Sequence, residues 1–251
     1  MSAELKSRYI CEHIPRTGGT SLRRFWTEIF PLDQINYYYD GGFFTAAETV
    51  SPVLRHPFLA VIKNHLTLTD TGRTLYRLIK RTLPQQTSSN DIKEPWIILQ
   101  GHEIPPRIIE EHPEALLITV VRHPLERAIS QYFFVKGWIA ANKIIPQWVL
   151  DLDTDSTRPL ESFLLDEKTT NFQMRRLIKL KRSDFAFVGV TEVLDRFCQY
   201  FDKKSDVKLH RLNTATRPSL KLSDNVVDEF VRKNQDDYSL YHEALKRINA
   251  D

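Results

Sequence analysis

Two stretches of the chain combine arginine, glycine and hydroxyl side chains in an order that suits an anion. In YICEHIPRTGGTSLRRFW, from Tyr9 to Trp26, an apolar run gives way to a turn containing Gly18 and Gly19 and then to a helical pattern. A strand that turns into a helix in this way gathers unpaired backbone N–H groups and the positive end of the helix dipole at one point. The glycines let the backbone approach a ligand closely, Thr17, Thr20 and Ser21 offer hydroxyls, and Arg16 supplies a permanent positive charge. In ALLITVVRHPLERAISQYFF the apolar run stops at Arg122, and Pro124 stands where a helix would begin. Arg122 is therefore expected at the carboxyl edge of a sheet, where open α/β folds bind ligands. Ser130 lies on the same helix. The plainer alternatives are a strand-turn-helix capped by Thr20 and, for Ser130, a small packing residue.

The chemistry these stretches lack is also informative. No Lys precedes Thr20 and Ser21, so the nucleoside-triphosphate signature GxxxxGK[ST] is missing, and ITVV runs into Arg122 and His123 rather than into an Asp that could hold magnesium. The expectation is a phosphate site that needs no metal. Two anionic subsites on one edge call for a ligand with two separated phosphates.

A hydroxyl acceptor needs a base, and histidine is the natural candidate because its ordinary pKa is near 6.5. Of the eight histidines, His102 follows the buried run WIILQ and Gly101 and precedes the turn-forming EIPP, which brings it to the same sheet edge. His65 in KNHLTLTD and the neighbouring Glu103 are its rivals, and the plainer alternative is a structural histidine bonded to backbone. His13 lies beneath the glycine turn, His123 follows Arg122, and His56, His112, His210 and His242 stand alone.

The elements that must position these residues are legible as alternating periods. β-branched and aliphatic runs at Arg8–His13, Trp96–Gln100, Leu116–Val121, Phe185–Val190 and Val207–Leu212 predict strands. Helical spacing predicts helices at Thr20–Phe30, Pro124–Val135, Thr191–Tyr200 and Asn225–Lys233. Tyr238, Tyr241, Ala244, Leu245 and Ile248 mark one face of a closing amphipathic helix. The alternation predicts an α/β fold, a mainly parallel sheet covered on both faces. Residues 36–95 break that rhythm and are expected to form an insertion in a single domain spanning 1–251. The 251 residues are 41% hydrophobic with only 8 Gly and 13 Pro, which excludes disordered and collagen-like classes.

At this point the residues carry a resemblance. HIPRTGGTSL resembles the 5′-phosphosulfate loop, and VVRHPLERAISQYFF the 3′-phosphate loop, of sulfotransferases that use 3′-phosphoadenosine 5′-phosphosulfate (PAPS). The similarity is greatest to the carbohydrate group that includes heparan sulfate 2-O- and chondroitin sulfotransferases, and it extends in order through GHEIPP, NFQMRRL, FVGVTEVLDRF and DDYSLYHEA. It implies a P-loop-like three-layer fold with Arg16, Thr17, Gly18, Gly19, Thr20 and Ser21 around the 5′-phosphosulfate, and Arg122 and Ser130 on the 3′-phosphate. In that group a Gly-His pair at the position of Gly101 and His102 carries the catalytic base. Arg16 departs from the usual Lys, keeping the charge but changing the donor geometry. The implied reaction moves a sulfuryl group from PAPS to a hydroxyl of a carbohydrate or glycoconjugate by in-line transfer, releasing adenosine 3′,5′-bisphosphate without a metal. The competing classes are a metal-dependent small-molecule kinase and a non-enzymatic module that binds an anionic polymer.

The balance of 35 Lys and Arg against 32 Asp and Glu leaves +3, too little to argue for nucleic acid. Basic residues do gather at Arg73, Arg77, Lys80 and Arg81 and at Arg175, Arg176, Lys179, Lys181 and Arg182, as solvated helix faces or as a groove for an anion. The longest apolar run, ALLITVV, is far short of the roughly 18 residues of a membrane span. MSAELKSRYICEHIP has no apolar leader core, so the expected location is cytoplasmic. Cys11 and Cys198 fall in apolar stretches and do not form a disulfide framework.

Overall fold

The computed structural model describes residues 7–39, 42–47, 91–140, 158–180, 184–201 and 220–250. Four of the expected strands are present as β1 (Tyr9–Glu12), β4 (Ile98–Gly101), β5 (Leu116–Val121) and β6 (Phe185–Val190). The run 207–212 lies outside the described residues. Two further strands, β2 (Ile35–Tyr39) and β3 (Gly42–Thr45), open the segment expected as an insertion, so its first residues belong to the main sheet. The two strands pair antiparallel, with Tyr37 opposite Phe44 and Tyr38 opposite Phe43, and their consecutive aromatic residues lack the period-two alternation that marks a strand in sequence.

The six strands form one sheet in the order β3-β2-β4-β1-β5-β6. Only β2 and β3 pair antiparallel; β2 with β4, β4 with β1, β1 with β5 and β5 with β6 are parallel. The register sets Glu12 opposite Gly101 on one side and opposite Thr119 on the other. The carboxyl ends of three strands therefore finish side by side.

The helices are α1 (Gly19–Ile29), α2 (Pro106–Glu111), α3 (Pro124–Ala140), α4 (Leu160–Leu164), α5 (Phe172–Ile178), α6 (Leu194–Phe201), α7 (Asp224–Lys233) and α8 (Gln235–Ala250). Side chains of successive strand residues go to opposite faces, and the core follows that rule. Ile10, Leu99, Leu117 and Val121 pack on one face with α2, α5 and α8. Cys11, Ile98, Ile118 and Val120 pack on the other with Leu22, Phe25 and Trp26 of α1 and Phe197 and Phe201 of α6. The result is three layers, helices over and under a mainly parallel sheet. A satellite core joins Ala128, Ile129 and Tyr132 of α3 to Phe163 of α4 and Phe230 of α7.

Two polar contacts set how α1 lies on the sheet. The Trp26 indole N–H donates to Gln100 Oε1 at 2.7 Å, and Gln100 Nε2 donates to the Gly19 carbonyl at 3.4 Å. Gln100 is fully buried, so these bonds satisfy a side chain that would otherwise be costly inside the core. Both cysteines are free and buried. Burial pushes the Cys11 thiol up and that of Cys198 up to about 12, so both act as small apolar side chains. Among the described residues no helix is long and apolar enough to cross a membrane.

At Gly189 of β6, α6 packs tightly on the sheet: a Cβ there would lie 2.4 Å from the Phe197 ring and 3.1 Å from Val120. Phe197 is fully buried and cannot swing away. Gly189→Ala is expected to destabilise the fold by about 1–3 kcal/mol through overpacking, measured as a lower urea midpoint with an unchanged slope.

Candidate active site at the carboxyl edge of the sheet

The turn after β1 is built for close approach. Gly18 takes a left-handed conformation (φ 95°) and stands as the N-cap of α1, with Leu22 N–H donating to its carbonyl. The cap is thus Gly18, with no capping side chain, and Thr20 is an exposed residue of the first turn. Gly19 lies flat against the His13 ring, where an added Cβ would sit 1.7 Å from Nε2. Only glycine fits there. Thr17 is fully buried and its hydroxyl donates to the Ile14 carbonyl at 2.8 Å. Its contribution to the loop is therefore a brace for the turn. Ser21 is buried as well.

Arg16 has φ 73°. Its guanidinium lies over the Phe134 ring at 4.6 Å, and its Nε donates to Ser130 Oγ at 3.0 Å. Ser130 is buried on α3, far along the chain from Arg16. Arg122 comes in from the end of β5 and donates from Nη1 to the Arg16 carbonyl at 3.3 Å. Glu126 at 3.7 Å and Glu192 at 3.8 Å moderate its charge. The three residues singled out from two separate motifs thus meet at one place. Thr191 closes the group, its Oγ lying 2.9 Å from the Thr17 carbonyl and 3.0 Å from that of Val121.

His102 sits at the end of β4, beside this cluster. Its Nδ1 is 2.6 Å from the His13 carbonyl, and a carbonyl can only accept, so Nδ1 carries the proton. The neutral ring then has its lone pair on Nε2, the atom able to take a proton from an acceptor. The His13 and His102 rings stack at 4.2 Å with 27° between planes. Burial, then His102, Arg23 and Arg16, hold the His13 imidazole well below its ordinary pKa, so His13 packs against His102 without competing as a cation. The rival Glu103 is exposed, and its carboxylate pairs with Arg176 and with Lys179 at 3.5 Å. The other rival, His65, lies outside the described residues.

Several residues essential to this geometry have no separate signature in the sequence. Glu12 is buried at the end of β1, where Oε1 accepts the Glu103 N–H at 2.9 Å and Oε2 accepts the Ile104 N–H at 3.0 Å. It anchors the turn that carries His102. A lone acid inside the apolar run YICEHI was the available signal. Arg127 is buried on α3 with its guanidinium 4.2 Å above the Phe172 ring. Burial pushes it down to about 10, against the opposing pull of Asp237. Of the basic cluster on and just after α5, Arg176 is committed to Glu103, Arg175 donates to the Lys168 carbonyl at 2.6 Å, and Lys179 is exposed. Residues 73–81 and 181–182 lie outside the described part. Among the described residues no group of three or more His, Cys, Asp or Glu is arranged to hold a metal ion.

No family model matches this chain, and no curated protein matches it. Among solved structures, the crystal structure of a sulfotransferase from Alicyclobacillus acidocaldarius aligns over 95% of this chain and 97% of that one, at 13% identity and a TM-score of 0.42.

Burial pushes the Glu12 carboxyl up to about 7, and the two backbone N–H donors only partly offset it. The folded value exceeds the usual 4.5, so between the two the folded protein holds a proton that the unfolded chain has lost. Ionising Glu12 therefore costs stability as pH rises through that window. Glu12→Gln does not titrate. Measured by urea unfolding, wild-type stability relative to Glu12→Gln is expected to fall by about 3 kcal/mol between pH 4.5 and pH 7.5, and to stay level above that. A difference that is flat across the range would place the Glu12 titration elsewhere.

Proposed function

We propose that the protein is a sulfotransferase that moves a sulfuryl group from PAPS to a hydroxyl of a carbohydrate or glycoconjugate. The observation that carries this reading is the meeting of Arg16, Ser130 and Arg122 at the glycine turn: Arg16 Nε to Ser130 Oγ is 3.0 Å and Arg122 Nη1 to the Arg16 carbonyl is 3.3 Å. The two motifs that resemble the phosphate loops of the PAPS enzymes are thereby parts of one site. The residues fit such a substrate. The start of α1 offers N–H groups and a positive dipole to the 5′-phosphosulfate, and Arg122 and Ser130 offer a cation and a hydroxyl to the 3′-phosphate.

In this reading His102 Nε2 accepts the acceptor's proton as its oxygen attacks sulfur in line. The hydrogen bond from Nδ1 to the His13 carbonyl orients the ring and sets the tautomer this requires. Arg16 and the loop N–H groups stabilise charge that develops on the departing phosphate oxygen, and donors of this kind are worth roughly 10²–10³ in rate each. The Arg16 side chain links the glycine turn to Ser130 through its Nε–H.

The test is transfer of radiolabelled sulfuryl groups from PAPS to a panel of sugars and glycoconjugates, with and without EDTA. Turnover that survives EDTA is expected, because the turn has no Lys-Ser/Thr magnesium pair and β5 ends in Arg122 and His123. Magnesium-dependent consumption of ATP would favour a kinase. His102→Ala is expected to lower kcat by roughly 10²–10⁴ with nucleotide affinity nearly intact; full turnover in that variant would remove His102 as the base. Arg122→Ala is expected to weaken adenosine 3′,5′-bisphosphate by about one to two orders of magnitude in calorimetry while leaving adenosine 5′-monophosphate unchanged. Arg16→Ala should weaken both.

A further inference from the structure

We propose that Gln173, held in place by Asp237, is the positioning residue of Arg122 and so sets the site's preference for a 3′-phosphate. The inference rests on the assignment of Arg122 to that phosphate. It gives a role to NFQMRRL and DDYSLYHEA, two segments far from the glycine turn in sequence.

Arg122 stands one residue past the last paired position of β5, where Val121 is opposite Val190. The ladder ends there, and the Arg122 peptide needs other partners. Gln173 supplies both: the Arg122 N–H donates to Gln173 Oε1 at 2.9 Å, and Gln173 Nε2 donates to the Arg122 carbonyl at 2.9 Å. A carboxamide presents the same donor and acceptor as a peptide, so Gln173 extends the pairing by one residue from an α-helix. The Arg122 guanidinium meets the Arg16 carbonyl at 3.3 Å and Glu126 and Glu192 at 3.7–3.8 Å. The clamp fixes the Arg122 peptide, and with it the direction in which the side chain leaves the sheet.

Gln173 is itself fixed. It is fully buried near the start of α5, where its N–H donates to Asp237 Oδ2 at 3.1 Å and the Met174 N–H donates to Asp237 Oδ1 at 2.8 Å. Asp237 is buried in the first turn of α8. The Asp237 N–H donates to Asn171 Oδ1 at 3.3 Å, and the Asn171 N–H donates to Asn234 Oδ1 at 2.8 Å. The start of α5 and the start of α8 are thus reciprocally capped, and the result is transmitted to Arg122 through one side chain.

A residue that merely stabilised the fold would weaken every ligand alike or none. Affinities of the full chain for adenosine 3′,5′-bisphosphate and adenosine 5′-monophosphate are to be measured by calorimetry in wild type, Arg122→Ala, Gln173→Met and the double variant. Gln173→Met, which keeps length and loses both hydrogen bonds, is expected to weaken the bisphosphate roughly threefold to tenfold and leave the monophosphate unchanged. In the double variant the loss should not exceed that of Arg122→Ala, because Gln173 acts through Arg122. Gln173→Glu, which keeps the acceptor for the Arg122 N–H but sets an oxygen against its carbonyl, should show the same selective loss and serves where Gln173→Met does not fold. Equal losses for the two ligands, no loss, or additive losses in the double variant would overturn the proposal while Arg122→Ala still discriminated. A wild type that binds both nucleotides equally would overturn the 3′-phosphate assignment, and the proposal with it.

Discussion

Parallel pairing of β1 with β4 on one side and β5 on the other is the constraint on which the site depends. It ends Glu12, Gly101 and Val121 on the same edge, so three loops that leave those strands have to share one small volume. The glycine turn, the His102 turn and the Arg122 junction all emerge there. Parallel strands need crossovers longer than a tight turn, which is why the residues that meet are far apart in sequence. A one-residue slip of β1 would invert Ile10 and Cys11 between the two apolar layers and turn Glu12 away from the Glu103 and Ile104 N–H groups.

Crowding three loops also brings like charges together. Arg16 and Arg122 lie side by side, and Arg127 and Arg176 both stack on Phe172, at 4.2 and 5.1 Å. Such a group is tolerated because buried neutral or acidic side chains hold the backbone around it. Glu12 secures the His102 turn, Thr191 the junction of the glycine turn with β5, and Gln173 the Arg122 peptide. Each is buried or partly buried and each bridges segments distant in sequence, so breaking one leaves a buried group without a partner. Arginines held close together in this way cost stability, a balance found at sites that give up stability for function.

Much of this architecture could be read from pattern alone. Leu116–Val121 and Phe185–Val190 are strands to the residue; the first is a nearly fully buried parallel strand and so an unbroken apolar run with sharp ends, and the second is an apolar edge strand. The expected helix from Thr20 begins one residue earlier, because Gly18 caps it in a left-handed conformation that hydrophobic periodicity does not register. The helix expected over 191–200 opens as a short 3-10 turn at Thr191–Val193 before α6, so that Thr191 faces the Thr17 carbonyl. Strands β2 and β3 were hidden in an aromatic run that falls in the stretch expected as an insertion, because their pairing with β4 and with each other is set by the sheet and not by local pattern.

The sequence by itself determined which chemistry was available: two arginines and a serine in two anion-type motifs, a histidine after a buried strand, and alternating periods that require an α/β sheet. These are local properties, set by residue type and spacing within a few turns of chain. Only the tertiary structure decided that Arg16 reaches Ser130, that His102 carries its proton on Nδ1, and that Glu12, Thr191 and Gln173 hold the loops. Those facts depend on strand order and register, which arise from the packing of two apolar faces across the whole sheet. No short segment encodes them, since a buried Glu or Gln is recognised only by the distant N–H group that satisfies it.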